Sequence, residues 1–496
     1  MRKLSLVVIC FIATAAFAQN GNTRKDPTWW DKYQFILNNG PTADPGPTSS
    51  VAAATNVDVS NECGPQSETY ITLNPANTRN LAGGSNEIFR LPMRGYFSTD
   101  GGKSWGGVDA PLPPAIGANG FDFGSDPTLA FDSRGNLFYG YIVVFFSRGQ
   151  GFGSINGTQM AVAKSTDGGK TYPTATFFEF QGGENHFNDK PMITADANPA
   201  SPFRDNVYIA WDAASGGSAT SGGIRVATSN DRGATFTATR ADDPHGPGRG
   251  IGAIPFVGTS GELYVAWNDY GSNTIAFNRS FDSGATWDTQ TVIASKVIPF
   301  DIRIPAESFR GALVYPTCDV DRSGSAHRGR LVCSWMDLAG NGTTDIFTSF
   351  SDDKGTTWSL PRTATDALAF AVDRFYPWIS IDPTNGVVNI SFYDTRNDTT
   401  GFRFMTDTYL SRSSNGGASF GANVRVSTES SNEHDCNGLF PCPSINYGNQ
   451  QGDYEGLVAY GGVAHPIWTD SRRNQEPAPG CMTRGLMEEV FTASVK

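Results

Sequence analysis

One eight-residue pattern occurs six times in this 496-residue chain, and it restricts the fold more than any other feature. It appears first as STDGGKSW (Ser98–Trp105). It returns as STDGGKTY (Ser165–Tyr172), SNDRGATF (Ser229–Phe236), SFDSGATW (Ser280–Trp287), SDDKGTTW (Ser351–Trp358) and SSNGGASF (Ser413–Phe420). Each copy follows an alternating stretch such as GTQMAVAK or NTIAFNR and leads into another, so it reads as a hairpin turn. The Asp or Asn can accept hydrogen bonds from backbone N–H groups further on. The Gly supplies a φ above zero, and the aromatic can fold back into apolar space between strands. By itself the pattern describes a structural staple rather than a catalyst.

A second landmark alternates with the first. DPTLAFDSRGNLFYGYI, GAIPFVGTSGELYVAWND and YPWISIDPTNGVVNISFYD each join two strands through a Gly, Asp or Asn turn, and the second strand ends in an aromatic and usually Asp. Counting a degenerate first copy, ETYITLNPANTRNLAGGSNE, there are seven such pairs. The repeating unit is then four strands, A to D, with the octet between C and D. Repeats of this kind predict an all-β chain folded as a β-propeller of four-stranded antiparallel blades. Seven blades are expected, with six as the alternative. The last unit has strands A and B within 455–470 and a C strand in EVFTASVK, but no D. ATNVDVSN (Ala54–Asn61) resembles GANVRVST, the D strand after the sixth octet, so residues near Asn56–Ser60 are expected to close the ring.

The chain opens with MRKLSLVVICFIATAAFAQ: a basic start, an apolar run from Leu4 to Ala15, and Ala16-Phe17-Ala18 as a cleavage site. The expected division is a signal peptide at 1–18, an extension or linker at 19–54 and the propeller at 55–496. Export to the periplasm or the extracellular space follows, and no later stretch is apolar enough for a membrane helix. The formal charge of −12 becomes −14 without Arg2 and Lys3, which would repel phosphates and argues against nucleic acid as a partner. Six Cys lie beyond the signal, and an even number in an exported chain favours disulfides. The expected pairs are Cys318–Cys333 on adjacent strands, Cys436–Cys442 across a short loop, and Cys63–Cys481 at the ring closure; buried free thiols are the alternative for each. DVDRSG (Asp319–Gly324) opens like a calcium loop, but Arg330 stands where a Glu is needed, so it reads as a hairpin. No cofactor is expected; calcium elsewhere stays open as an alternative, without residues that support it.

The octet resembles the Asp-box, or bacterial neuraminidase repeat, of the sialidase superfamily, over most of the chain from about residue 55. The resemblance implies a propeller more strongly than a reaction, because such propellers include sialidases and other glycosidases but also sorting receptors and assembly factors. It implies a sialidase-like hydrolase, exo-α-sialidase-like, acting on an anionic glycan; export follows from the signal, and a monomer is expected. A non-catalytic carbohydrate- or protein-binding propeller and a polysaccharide lyase are the alternatives. Sialidases carry an arginine triad, a Tyr/Glu nucleophile pair and an Asp acid/base. Their first arginine lies in an F/Y-R-I-P motif well ahead of the first box. Here FRLP (Phe89–Pro92) puts Arg90 eight residues before Ser98, and IRIP (Ile302–Pro305) falls between the fourth and fifth octets.

Strand alternation places the octets and A–B turns on one face of the ring and the D–A and B–C loops on the other, at the mouth of the central channel. Before A strands stand Asp126, Asn188, Asp189, Lys190, Arg249, Arg310, Asp373, Arg374, Tyr376, Gln450, Gln451, Asp453, Tyr454 and Glu455. After B strands stand Asp212, Asp269, Asp337, Asp394, Arg396, Asp470 and Arg472. Arg374, Arg396 and Arg472 could hold a carboxylate by bidentate hydrogen bonds, with Tyr376, Asp189, Lys190 and Asp453 completing a substrate site. Asp394, Tyr454, Glu455 and Asp470 are the catalytic candidates: a carboxyl flanked by others can act as a general acid, and a tyrosine beside a glutamate fits the tyrosine nucleophile of sialidases. Adjacent strand residues face opposite ways, so Tyr376 or Tyr393 with a Glu from another blade is equally open. The Asp after strand B recurs in nearly every unit, and repetition argues for architecture.

Overall fold

A computed structural model describes residues 56–62, 64–88, 90–113, 120–147, 155–182, 186–215, 223–246, 248–308, 310–434, 450–472 and 488–496. The signal, the extension before residue 56, Cys63–Cys481 and Cys436–Cys442 lie outside these residues. The described chain forms seven four-stranded antiparallel blades, and no helix in it is long and apolar enough to cross a membrane. Blades 1 to 6 run in order through 66–109, 120–182, 186–240, 250–295, 317–363 and 374–425. Blade 7 combines Gly456–Tyr460, Val463–Asp470 and Glu489–Ala493 with Asn56–Asp58. The N-terminal strand closes the ring: Asn56 pairs with Ala493, Val57 with Thr492 and Asp58 with Phe491. Asn56–Asp58 covers the side of Glu489–Ala493 that would otherwise be unpaired, and becomes the edge strand of that blade.

The octets are the C–D turns, and their bonds follow from their residue types. In the first, Asp100 Oδ1 accepts the N–H groups of Lys103 and Ser104, each at 3.0 Å, and Oδ2 accepts the Ser104 hydroxyl at 2.6 Å. Gly102 has φ 84° and donates its N–H to Ser98 Oγ at 2.9 Å. The Trp105 ring is buried, its Nε1 bonded to Gly102 O at 3.1 Å. At the other end of each blade, B-strand aromatics fill the space between sheets. Trp211, Trp267, Trp335 and Trp468 occupy equivalent places and are fully buried. A disulfide joins Cys318 to Cys333, cross-strand partners in blade 5. In the Asp319–Gly324 stretch, Asp319 and Val320 end a strand and the chain then turns, with Asp321 accepting the Ser323 N–H at 2.8 Å.

Two departures from regular strand geometry shape the mouth. The A strands of blades 1, 2, 3, 4 and 6 break register at one point: Ser67/Tyr70, Ser125/Thr128, Asp189/Met192, Ile251/Ile254 and Phe375/Trp378. Such bulges re-aim a side chain. The second is a two-stranded hairpin, Asp301–Ile302 with Ala312–Leu313, inserted before blade 5. It reaches blade 7, where Gln450 Nε2 donates to Ala306 O at 3.0 Å and Arg310 N donates to Gln450 Oε1 at 3.1 Å.

Candidate active site at the channel mouth

The residues at the bulge position of the A strands are Glu68, Asp126, Lys190, Gly252 and Tyr376. All five have positive φ, between 50° and 68°. Four of them are not glycine, and holding such residues there stores strain of the kind found at functional sites. Tyr315 and Tyr454 occupy the corresponding column in blades 5 and 7. Every blade thus sends one residue to the same level. Gly252 sends no side chain, and a Cβ there would overlap the Tyr315 ring.

These side chains interlock around Lys190. Its backbone N–H lies 3.1 Å from Asp126 Oδ2 and 3.0 Å from Asp189 Oδ1, so two carboxyls share one donor. Its ammonium lies 2.8 Å from the centre of the Tyr454 ring and 4.9 Å from that of Tyr315. It is buried and has no hydrogen-bond acceptor among the described residues. Asn86 bridges blades 1 and 2, donating to Glu68 Oε2 at 2.7 Å and accepting the Asp126 N–H at 2.7 Å. Arg310, carried in by the inserted hairpin, pairs with Asp453 and lies 3.5 Å from Glu68. Tyr315 donates to Asp453 Oδ2 at 3.3 Å, Tyr376 to Gly311 O at 3.3 Å and Tyr454 to Pro127 O at 3.1 Å.

Electrostatics separates the two carboxyls that share the Lys190 N–H. Burial raises Asp189 well above the ordinary aspartate value, and the neighbouring charges of Asp126 and Asp212 push it further. Burial alone would raise Asp126 too, but Lys190 and hydrogen bonds from Asp189 and Ser125 outweigh it and hold it low. One carboxyl holds its proton more tightly than an ordinary aspartate and its neighbour less tightly, the direction of division that acid–base catalysis needs. Burial, then the charges of Asp453 and Asp126, raises Glu68. Burial pushes the Lys190 ammonium down to about 8 against the pull of Glu68, Asp453, Asp126 and Asp189.

Of the residues expected from the sequence, Asp189, Lys190, Tyr376, Asp453 and Tyr454 meet here, together with Asp126, Asp212 and Arg310. The others lie elsewhere. Arg374 and Arg396 both bind Asp394 Oδ2, at 2.8 and 2.7 Å, and continue to Asp345 and Asp366, each at 3.0 Å. Arg472 binds Asp470 at 2.6 Å and reaches Asn56 Oδ1 at 3.2 Å. The three guanidinium groups are therefore shared among four aspartates, Asp345, Asp366, Asp394 and Asp470, and do not converge on one point. Glu455 turns from the mouth toward Ser391 and Tyr393, and Tyr393 is tied to Thr469 in both directions at 3.0 Å. Asp269 and Asp337 cap loop N–H groups. Arg90 of FRLP pairs with Asp109 at 2.7 Å, while IRIP runs along the inserted hairpin. Glu68, Glu307 and Tyr315 are absent from the sequence-based set. Four of the seven A strands carry proline right after the bulge column, as Asp126-Pro127, Lys190-Pro191, Tyr315-Pro316 and Tyr376-Pro377. Aligning the strands on that proline would have found the column.

No family model matches the chain, and no curated protein matches it. Solved structures resemble it weakly. A leech intramolecular trans-sialidase complexed with 2,7-anhydro-Neu5Ac is 12% identical over 77% of this chain and 72% of its own, with a TM-score of 0.47. The NanB sialidase of Streptococcus pneumoniae is 10% identical over 73% and 68%, with a TM-score of 0.45. A Trypanosoma rangeli sialidase in complex with the inhibitor DANA is 11% identical over 72% and 58%, with a TM-score of 0.41.

Proposed function

We propose that the protein is an exported, sialidase-like glycoside hydrolase that cleaves a glycan bearing an anionic group at the channel mouth. One arrangement carries this reading: the Lys190 backbone holds Asp126 and Asp189 together, while its side chain offers an ammonium that no acceptor among the described residues claims. In this reading Asp189 is the general acid that protonates the leaving oxygen, a role that fits a carboxyl whose hold on its proton is strengthened by burial. Asp126 is the carboxylate that meets the positive charge developing on the sugar. Lys190 takes the anionic group of the glycan, with Arg310 beyond it, while Tyr376, Asp453 and Tyr454 shape the remainder. Tyr454 keeps the place of a tyrosine nucleophile in the chain, although burial, then the charges of Glu68 and Asp126, hold its hydroxyl well above the ordinary tyrosine value.

The test is turnover by the purified protein on sialosides and on uronic-acid polymers, with released sugars separated by anion exchange. Wild type is expected to release product. Asp189→Asn is expected to lose at least about a hundredfold of that activity while melting at an unchanged temperature. Absence of release from every anionic glycan overturns the reading, and an unsaturated, ultraviolet-absorbing product would identify a lyase instead.

A further inference from the structure

Phe402 stands out among the exposed apolar residues of the mouth face. It lies in the B–C loop of blade 6, between Val388–Asp394 and Met405–Ser413, and is 65% exposed. An exposed aromatic on a loose loop would mean little, but this loop is pinned from within. Asp398 accepts the backbone N–H groups of Thr400, Arg403 and Met405 at 3.3, 2.9 and 3.1 Å, and the Thr400 hydroxyl at 2.7 Å. Thr400 Oγ1 in turn accepts the Phe402 N–H at 3.1 Å. The turn also holds Arg403 at φ 62° and ties it to Asp373 at 3.3 Å. The chain is shaped to present this ring outward.

The ring continues inward as a stack. Phe402 lies 5.4 Å from Phe404 at an interplanar angle of 25°, and Phe404 lies 4.0 Å from the His434 ring at 21°. His434 Nε2 donates to Pro305 O at 2.8 Å, on the inserted hairpin that carries Arg310 into the channel mouth. Three stacked rings therefore lead from solvent to the inserted hairpin. Phe402 ends the stack at solvent, in a turn whose Thr399 is exposed and whose Thr400 and Arg403 are half-buried. A flat apolar face edged by hydrogen-bonding groups matches a pyranose, which offers a C–H face and equatorial hydroxyls. One ring is far too small a patch for a specific protein interface, which needs on the order of 1,000 Å².

We propose that Phe402 is a stacking platform for a sugar unit of an extended glycan, a binding subsite outside the channel mouth. This rests on the glycan reading of that mouth, but binding can be measured without turnover. The full-length protein is run in native gels containing hyaluronan, polygalacturonate, xylan or a sialylated mucin. Wild type is expected to be retarded by at least one of them. Phe402→Ala is expected to weaken that retardation roughly tenfold, Phe402→Trp to keep it, and Asp189→Asn to keep it while losing turnover. Unaltered melting of Phe402→Ala would show that the fold is intact. Equal retardation of Phe402→Ala and wild type, or no retardation of wild type in any gel, overturns the platform. Phe402-dependent retardation without hydrolysis leaves the platform standing and removes the hydrolase.

Discussion

Lys190 of blade 3 points its ammonium at the face of Tyr454 in blade 7, 2.8 Å from the ring centre. Two blades that are not neighbours in the ring thus meet across the channel, and the contact is a cation over a π-face. Burial brings the ammonium down to about 8, so it is charged at neutral pH and loses its proton just above. Turnover of an anionic glycan is expected to fall along a basic limb near pH 8, and Lys190→Met is expected to be weakly active with no such limb. The stability effect has the opposite sense. Between about 8 and the ordinary value of 10.5 the unfolded chain binds the proton that the folded one has released, so this residue's contribution to stability rises with pH through that window. A pH–rate profile of wild type and variant, with denaturation midpoints across pH 7 to 10, checks both.

Asp394 and Asp189 are expected to fail differently when altered. Asp394 is fully buried beneath two guanidinium groups. Removing it leaves two cations without their shared partner, a loss of about 3–5 kcal/mol for a buried pair. Asp394→Ala is therefore expected to melt much lower or not to fold, whereas Asp189→Asn keeps the size and hydrogen bonding of a protonated acid and is expected to melt as wild type does. Thermal melts of the two variants side by side decide it, and a well-folded, inactive Asp394→Ala would return that residue to the catalytic set.

The contrast explains what could be read in advance. The octets and strand pairs recur with a period, and a period survives without coordinates, so the seven blades and the closing strand at Asn56–Asp58 were legible. The mouth was legible as a face, because polar residues before each A strand must share it. Their partners were not. Arg374, Arg396 and Asp394 look the same in one dimension whether they are bound to one another or free to meet a ligand. Glu68 and Tyr315 were missed because they sit within what reads as ordinary strand, and the alternation rule says nothing of the column that the ring brings together.

The octets are expected to matter for stability alone. Asp282 accepts the Thr286 N–H at 2.9 Å and its hydroxyl at 2.6 Å, and Ser280 Oγ donates to it at 2.7 Å. Asp282→Ala leaves those groups to water on an exposed turn, so the cost is expected to be about 1–3 kcal/mol, read as a lowered urea midpoint. Turnover at saturating substrate is expected to stay as in wild type, because the octets stand on the face opposite the mouth. A loss of activity without a loss of stability would contradict that separation.

Three buried glutamates form one electrostatic cluster. Glu307 on the inserted hairpin, Glu433 after blade 6 and Glu488 before the last strand are all buried and influence one another. Burial raises all three, and the charges of Glu433 and Glu307 raise Glu488 further. A carboxyl whose folded value is raised binds its proton more tightly in the folded state. Its stabilising contribution is present at low pH and is lost as pH rises through the folded value. Each unit of such a shift corresponds to about 1.4 kcal/mol. These three groups are therefore expected to lower wild-type stability as pH is raised above the ordinary glutamate value of 4.5, and the inserted hairpin is expected to loosen first, since Glu307 sits on it. Glu488→Gln cannot ionise and preserves the protonated shape, so its urea midpoint is expected to fall less than that of wild type over the same rise in pH. Parallel midpoint curves for the two proteins would show that the cluster is not ionising in the folded state over that range.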